Sequence, residues 1–316
     1  MTLQSPISPR TPDCEAAGPA PGSGAGERAR VLGRDVIDPA VLRALAEDRG
    51  TGDLTSETAV PAGARARARL LAKSAGVLAG TGVFARAFEL CDPGAEVLLR
   101  KRDGERVTPG EEVASVTGDA RALLLAERTA LNFLQRMSGI ATRTARLVEL
   151  AAGRVRVLDT RKTTPGLRAF EKHAVLCGGG ENHRRGLDDQ VLVKENHLAL
   201  SGRGLEELLT AQRAALGEVT IVAEARTPAE ARAAVRAGAD VVMLDNLPPA
   251  EIAALVPALR ALAAGRDWPL EIEASGGIDE ETLEAIARTG VDRVSVGALT
   301  HSVRALDLAL YLEPAP

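Results

Sequence analysis

Residues 219–246 read VTIVAEARTPAEARAAVRAGADVVMLDN. An apolar run closing on Glu224, an Ala-rich helical pattern and a second apolar run closing on Asp245 form one strand–helix–strand unit. Near-continuous apolar runs are the mark of parallel strands buried on both faces, so this stretch decides for an α/β architecture. Outward from it, VRVLDT (155–160), QVLVKEN (190–196), LEIEASGG (270–277) and RVSVG (293–297) repeat the rhythm, with helical patterns such as DEETLEAIARTG (279–290) between several of them. The count reaches about six strands, short of an eightfold barrel. No sequence repeat lies beneath the rhythm, which excludes a solenoid.

Upstream the texture changes. ARARARLLAK (64–73), GVLAGTGVFARAFEL (76–90), AEVLLRKRDGERV (95–107) and EEVASVTGDA (111–120) are short runs punctuated by Gly and Asp-Gly, which predicts a small antiparallel sheet with at least one helix. A short helix is expected over 38–48, and one long helix over 121–152 with a break near Ser138-Gly139. Residues 1–30, rich in Pro, Gly, Ala and Ser without apolar period, read as a disordered tail. The expected organisation is therefore a tail (1–30), an α+β unit (31–137) and an α/β unit (138–302).

Composition limits function. Of 316 residues, 39 are Lys or Arg against 43 Asp or Glu, a formal net charge of −4, so any anion site must be local. Aromatic residues are 2% of the chain, too few for the stacking platforms of single-stranded nucleic-acid readers. No run approaches the length of a membrane span and residues 1–30 lack the order of a signal peptide, so a cytoplasmic location is expected. Cys14, Cys91 and Cys177 are odd in number and far apart, which supports neither a disulfide framework nor a zinc motif.

Each predicted strand ends in a polar or Gly residue: Asp159, Thr160 and Arg161, then Lys194, Glu224, Asp245, Glu273 with Ser275, and Gly297. The carboxyl ends of parallel strands share one mouth, so these residues converge there. Arg161, Lys162, Arg168, Lys172, His173, His183, Arg184, Arg185 and Lys194 make a dense cationic set in two adjacent loops, suited to a ligand with both carboxylates and phosphates. Glu224 and Asp245 at the ends of apolar strands need a cation, a metal or ligand hydroxyls; they suggest Mg²⁺ shared with a substrate, and the alternative is an ion pair with Lys194. Ser275, Gly276 and Gly277, followed one strand later by Gly297, Ala298 and His301, offer backbone N–H groups to a phosphate. His173 and His197 read as surface or capping residues, and Trp268 as packed between helix and strand.

These stretches together, with RGTGDLTSE (49–57), ERTALNFLQRMSGIAT (127–142), LDTRKTTPGLR (158–168), KHAVLCGGGENHRRGLDDQVLVKENH (172–197), VMLDN (242–246), EASGGI (273–278) and VGALTHSVRALD (296–307), resemble the quinolinate phosphoribosyltransferase family from Val31 to the C-terminus. The resemblance implies an open sandwich completed by 303–316, an incomplete α/β barrel, and a homodimer or larger assembly in which one subunit covers its partner's mouth. It implies transfer of phosphoribosyl from 5-phosphoribosyl 1-pyrophosphate to quinolinate, with decarboxylation and Mg²⁺. Quinolinate contacts then fall on Arg161, His183, Arg184 and Lys194 with Thr160, with Lys172 in the same pocket and Arg128 from the other subunit. Lys162, Glu224 and Asp245 fall to the pyrophosphate, Mg²⁺ and ribose, and Ser275, Gly276, Gly277, Val296, Gly297, Ala298 and His301 to the 5′-phosphate. The chain departs from the family at Val222, where a second Glu is common, and at Glu195, where Asp is common. Rival readings are a paralogue taking another anion, a Schiff-base enzyme using Lys194, and an idle binding scaffold.

Overall fold

A computed structural model describes residues 32–315; the expected disordered tail lies outside them. The chain opens with α1 (Arg34–Arg49) and α2 (Leu54–Ala59), the latter capped by Asp53 accepting from the Ser56 N–H. There follow β1 (Arg65–Ala72), β2 (Gly76–Val77), α3 (Thr81–Cys91), β3 (Glu96–Leu99), β4 (Arg106–Val107) and β5 (Glu112–Asp119). Strand β1 alternates Arg outward with Ala and Leu inward, the period-2 pattern of a sheet with one covered face.

The long helix α4 (Ala120–Ala151) is continuous, so the expected break at Ser138-Gly139 does not occur. Gly139 is required for another reason: a Cβ there would run into the carbonyl of Arg304, where the C-terminal segment crosses the helix. That segment ends in the last strand of the chain, which the helix holds by two bonds, Leu306 N–H to Gln135 O at 2.9 Å and Gln135 Nε2 to Leu308 O at 2.7 Å.

After α4 come β6 (Arg156–Leu158), α5 (Arg168–Cys177), β7 (Val191–Val193), α6 (Glu195–Ser201), α7 (Leu205–Leu216), β8 (Ile221–Ala225), α8 (Pro228–Arg236), β9 (Val241–Asp245), α9 (Pro249–Leu262), β10 (Glu271–Ser275), α10 (Leu283–Ala287), β11 (Arg293–Ser295), α11 (Ala298–His301) and β12 (Leu308–Pro314). Strands β6 to β11 form one parallel sheet in the order β6-β11-β10-β9-β8-β7, so its two edges are strands consecutive in the chain. The edges do not pair with each other. Glu181 lies along β6 instead, bridged to Leu158, and feeds the basic loop into the open seam. Strand β12 leaves this unit and pairs antiparallel with β1, giving the first sheet the order β12-β1-β5-β3.

The two units share a continuous apolar core, centred where Phe84, Phe88, Leu123, Leu134 and Ile140 are fully buried. Helices α4 and α5 meet through Phe133 and Phe170, whose ring centroids are 5.3 Å apart. A separate inner cluster of Leu192, Val222, Val241 and Met243 fills the cup of the parallel sheet. Val222, one of the two positions where the resemblance leads to another residue, is thus an apolar plug below the mouth. Trp268 does not pack between helix and strand: it is 42% exposed, with the Arg266 guanidinium stacked 4.7 Å from the ring centroid.

Candidate active site

The carboxyl ends of all six parallel strands open into one cavity of about 460 Å³. It is lined by Thr160, Arg161 and Lys162 after β6, His183 and Arg184 in the seam, Lys194 after β7, Glu224 on β8, Asp245 and Asn246 at the end of β9, and Ser275, Gly276 and Gly277 after β10. A parallel sheet produces this arrangement by itself, since every strand delivers its last in-facing residue to the same rim.

Its charges are sorted. Lys194 Nζ lies 2.7 Å from Glu224 Oε2, so the ion pair weighed as an alternative role for Glu224 exists, inside the mouth. Arg161 and Arg184 face each other, and neither has a carboxylate ion pair among the described residues. Burial and the Arg161 charge both push the Arg184 guanidinium below its ordinary value. The Nε of Arg161 is buried without a partner among the described residues. Two adjacent, partly dehydrated cations of this kind call for an anion with two acceptor groups.

Beneath them lies a buried frame. Asp159 is 0% exposed; its Oδ1 accepts from the His183 N–H at 2.9 Å and from Lys172 Nζ at 2.5 Å, and Lys172 also donates to the His183 carbonyl at 2.8 Å. With its amide turned to suit the network, Asn182 donates to Asp159 Oδ2 at 2.6 Å. Burial raises the Asp159 carboxyl to about 6 against the pull of Lys172, and lowers the Lys172 ammonium. Lys172, expected in the quinolinate pocket, is 4% exposed and committed to this frame rather than to the mouth.

His183 is held by hydrogen bonding at one ring nitrogen, and the other faces a buried carboxylate without a hydrogen bond among the described residues. Its Nδ1 accepts the Arg184 N–H at 2.8 Å, which leaves the proton on Nε2, 3.5 Å from the fully buried Glu273. Glu273 also accepts from Arg293 Nε at 2.8 Å, and stays below its ordinary value despite burial because His183 and Arg293 face it.

The remaining expected residues are dispersed. A Cβ on Gly297 would meet Lys162 Cδ at 2.9 Å and His301 Nε2 at 3.2 Å, so this loop packs against the base of Lys162, which Thr300 Oγ1 ties down at the Lys162 carbonyl, 2.7 Å. Val296 is buried behind it, and Ala298 starts α11. Arg128 stands exposed on α4 and does not line its own chain's mouth. His197 is a capping residue: its Nδ1 accepts the Lys194 N–H at 3.0 Å. His173 is not on the surface; it is 7% exposed and bonded to Asp103.

Sequence reading missed Asn246, whose φ of 57° holds its side chain over Gly276, with Nδ2 3.0 Å from Asp245 Oδ2. The signal was present: Asn is among the few residues that tolerate this conformation, and it follows an apolar strand. It also missed Glu171, a 1% exposed carboxylate that accepts from Arg136 and from the N–H and hydroxyl of Thr164, pinning the loop after Lys162.

A parallel α/β cup whose rim gathers cations, two carboxylates and Gly turns defines an enzyme for substrates that carry carboxylate and phosphate together. Residues 53–138 match the family model of the quinolinate phosphoribosyl transferase N-terminal domain and residues 140–311 that of the C-terminal domain. The chain belongs to the quinolinate phosphoribosyltransferase family. It is 44% identical over 268 residues, 84% of this chain and 89% of the other, to the probable nicotinate-nucleotide pyrophosphorylase [carboxylating] of Bacillus subtilis. The crystal structure of NadC from Streptococcus pyogenes superposes with a TM-score of 0.83 at 40% identity, covering 90% of this chain and 99% of that one. The nicotinate-nucleotide pyrophosphorylase of Francisella tularensis gives 0.85 at 35% identity, covering 92% and 100%.

Proposed function

We propose that the protein transfers the phosphoribosyl group of 5-phosphoribosyl 1-pyrophosphate to the ring nitrogen of quinolinate and releases carbon dioxide, giving nicotinate mononucleotide and pyrophosphate for NAD synthesis. The observation that carries this reading is the Arg161–Arg184 pair, unneutralised at the mouth beside the Lys194–Glu224 ion pair. A planar dicarboxylate supplies the acceptors the two forks need. Arg161, Arg184, Lys194 and Thr160 bind it, with the His183 ring as a fixed wall. In this reading Lys172 holds the His183 segment through Asp159 and does not touch substrate.

Pyrophosphate departure leaves positive charge on the ribose, which Glu224 and Asp245 stabilise while also holding the ribose hydroxyls. Lys162 draws off the charge of the leaving group. Ser275, Gly276 and Gly277 with the 296–298 turn and His301 receive the 5′-phosphate. The ring nitrogen, once bonded to ribose, is cationic and stabilises the electron pair left on the adjacent ring carbon as carbon dioxide departs, and that carbon then takes a proton from water. Among the described residues Asp245 is bonded only to the Asn246 amide, and Glu224 to Lys194. Two hard oxygen donors of this kind, completed by substrate phosphates, fit Mg²⁺, which when bound would neutralise the pyrophosphate.

The reading further takes the protein as a cytoplasmic homodimer or larger assembly. Residues 31–137, completed by 303–316, cover the mouth that a partner builds from 138–302, and Arg128 reaches into it. The test is an assay with phosphoribosyl pyrophosphate, Mg²⁺ and either quinolinate or nicotinate. Nucleotide with an equal amount of carbon dioxide is expected from quinolinate and little product from nicotinate, because a monocarboxylate leaves partly dehydrated cations unpaired. No product from either acid overturns the proposal. Glu224→Ala is expected to lower kcat by about 10²–10³-fold.

A further inference from the structure

A second cluster of chemistry-bearing side chains lies at the seam between the first sheet and the α/β unit, away from the mouth. His173 and Cys177 are four residues apart on α5, on one face of the helix, and Asp103 meets them from the turn between β3 and β4. One nitrogen, one sulfur and one oxygen donor atom from these residues lie within 4.8 Å of one another. His173 Nε2 and Asp103 Oδ2 are 2.8 Å apart. The other carboxylate oxygen of Asp103 accepts the Thr81 N–H at 2.8 Å and the Thr81 hydroxyl at 2.7 Å, the outer support that fixes a ligating carboxylate. A cavity of about 470 Å³ reaches Asp103 and His173 and gives an ion and its water a way in.

We propose that Asp103, His173 and Cys177 hold one zinc-type divalent cation, with water as fourth ligand, independently of the reaction at the mouth. A tetrahedral ion with ligand bonds of roughly 2.0–2.3 Å spaces its donors about 3.5 Å apart, so on binding the 2.8 Å His173–Asp103 hydrogen bond opens, its proton leaving to solvent, and Cys177 swings inward. The donor set separates it from the mouth, where hard oxygens select Mg²⁺. Burial and the Asp103 charge hold the Cys177 proton tightly in the empty site; the ion displaces that proton to solvent and takes the thiolate. The bound ion ties the turn at Asp103 to α5, whose end runs through Gly178–Gly180 to His183 and Arg184.

The test uses the full chain, stripped with chelator, loaded with Zn²⁺ or Co²⁺ in excess Mg²⁺ and desalted. The expected result is about one tightly held ion per chain, a thiolate-to-cobalt charge-transfer band, and a rise in Tm that Mg²⁺ alone does not give. Cys177→Ser removes the band and weakens retention roughly tenfold or more, while its Mg²⁺-supported activity stays near that of the parent. Asp103→Asn weakens retention alike, and where it fails to fold, the Cys177→Ser result decides. The proposal is overturned if the parent retains no Zn²⁺, if Cys177→Ser retains it equally, or if Glu224→Ala loses it instead.

Discussion

Asp159 and Lys172 show how a buried ion pair can serve position rather than stability. Dehydration pushes both away from their charged forms, Asp159 up to about 6 and Lys172 down, so their attraction does not fully offset burial. Removing one partner strands the other: Asp159→Asn is expected to cost about 3–5 kcal/mol in denaturant unfolding, and the double replacement Asp159→Leu with Lys172→Met much less. The double variant should nevertheless raise KM for quinolinate, since nothing then holds the His183 backbone. A purely structural pair would leave KM unchanged. Because the folded Asp159 carboxyl titrates above its ordinary value, its contribution to folding is full below that value and lost as pH rises through about 6. Function runs the other way: protonation weakens its hold on Lys172 and the His183 N–H. Activity is expected to fall as pH drops through about 6 while stability does not fall with it, and parallel pH profiles of kcat/KM and Tm would show the divergence.

At the scale of elements, α4 and α5 set the basic loop. Gly178 ends α5 against α4, where a Cβ would strike the Ala141 carbonyl and lie 2.6 Å from Thr144 Cβ. Both are unyielding parts of a buried helix, so Gly178→Ala must part the helices or shift the loop. A loss of about 1–3 kcal/mol is expected, with a larger fall in kcat/KM than a distant core substitution of equal cost would give. Gly82 is the control, since a Cβ there meets nothing within 4 Å and the residue lies in α3. Gly82→Ala should leave thermal unfolding unchanged or slightly raised. The contact with α4 makes Gly178 a point of close backbone approach.

For the whole molecule, Arg128 is exposed and away from its own chain's mouth, and the proposed function assigns it to the mouth of a partner. A mixture of Arg128→Ala and Glu224→Ala proteins, dissociated and reassociated, should regain up to about a quarter of parental activity, because one mouth in each mixed dimer keeps both residues and half of random pairs are mixed. Activity no higher than that of either variant alone would place Arg128 outside the partner's mouth. The sequence by itself determined the parallel strands, the mouth residues at their ends and the family, because a strand buried on both faces must be apolar until it reaches the rim, and the pattern is local. It placed Lys172 in the cationic set and left Cys177 without a disulfide or zinc motif, and it gave the neighbours of neither. Only the tertiary structure joined β12 to β1, passed Arg304 over Gly139, committed Lys172 to Asp159 and brought Asp103 to His173 and Cys177. Each is a meeting of segments far apart in the chain, and such meetings are set by how the units pack, which no local period records.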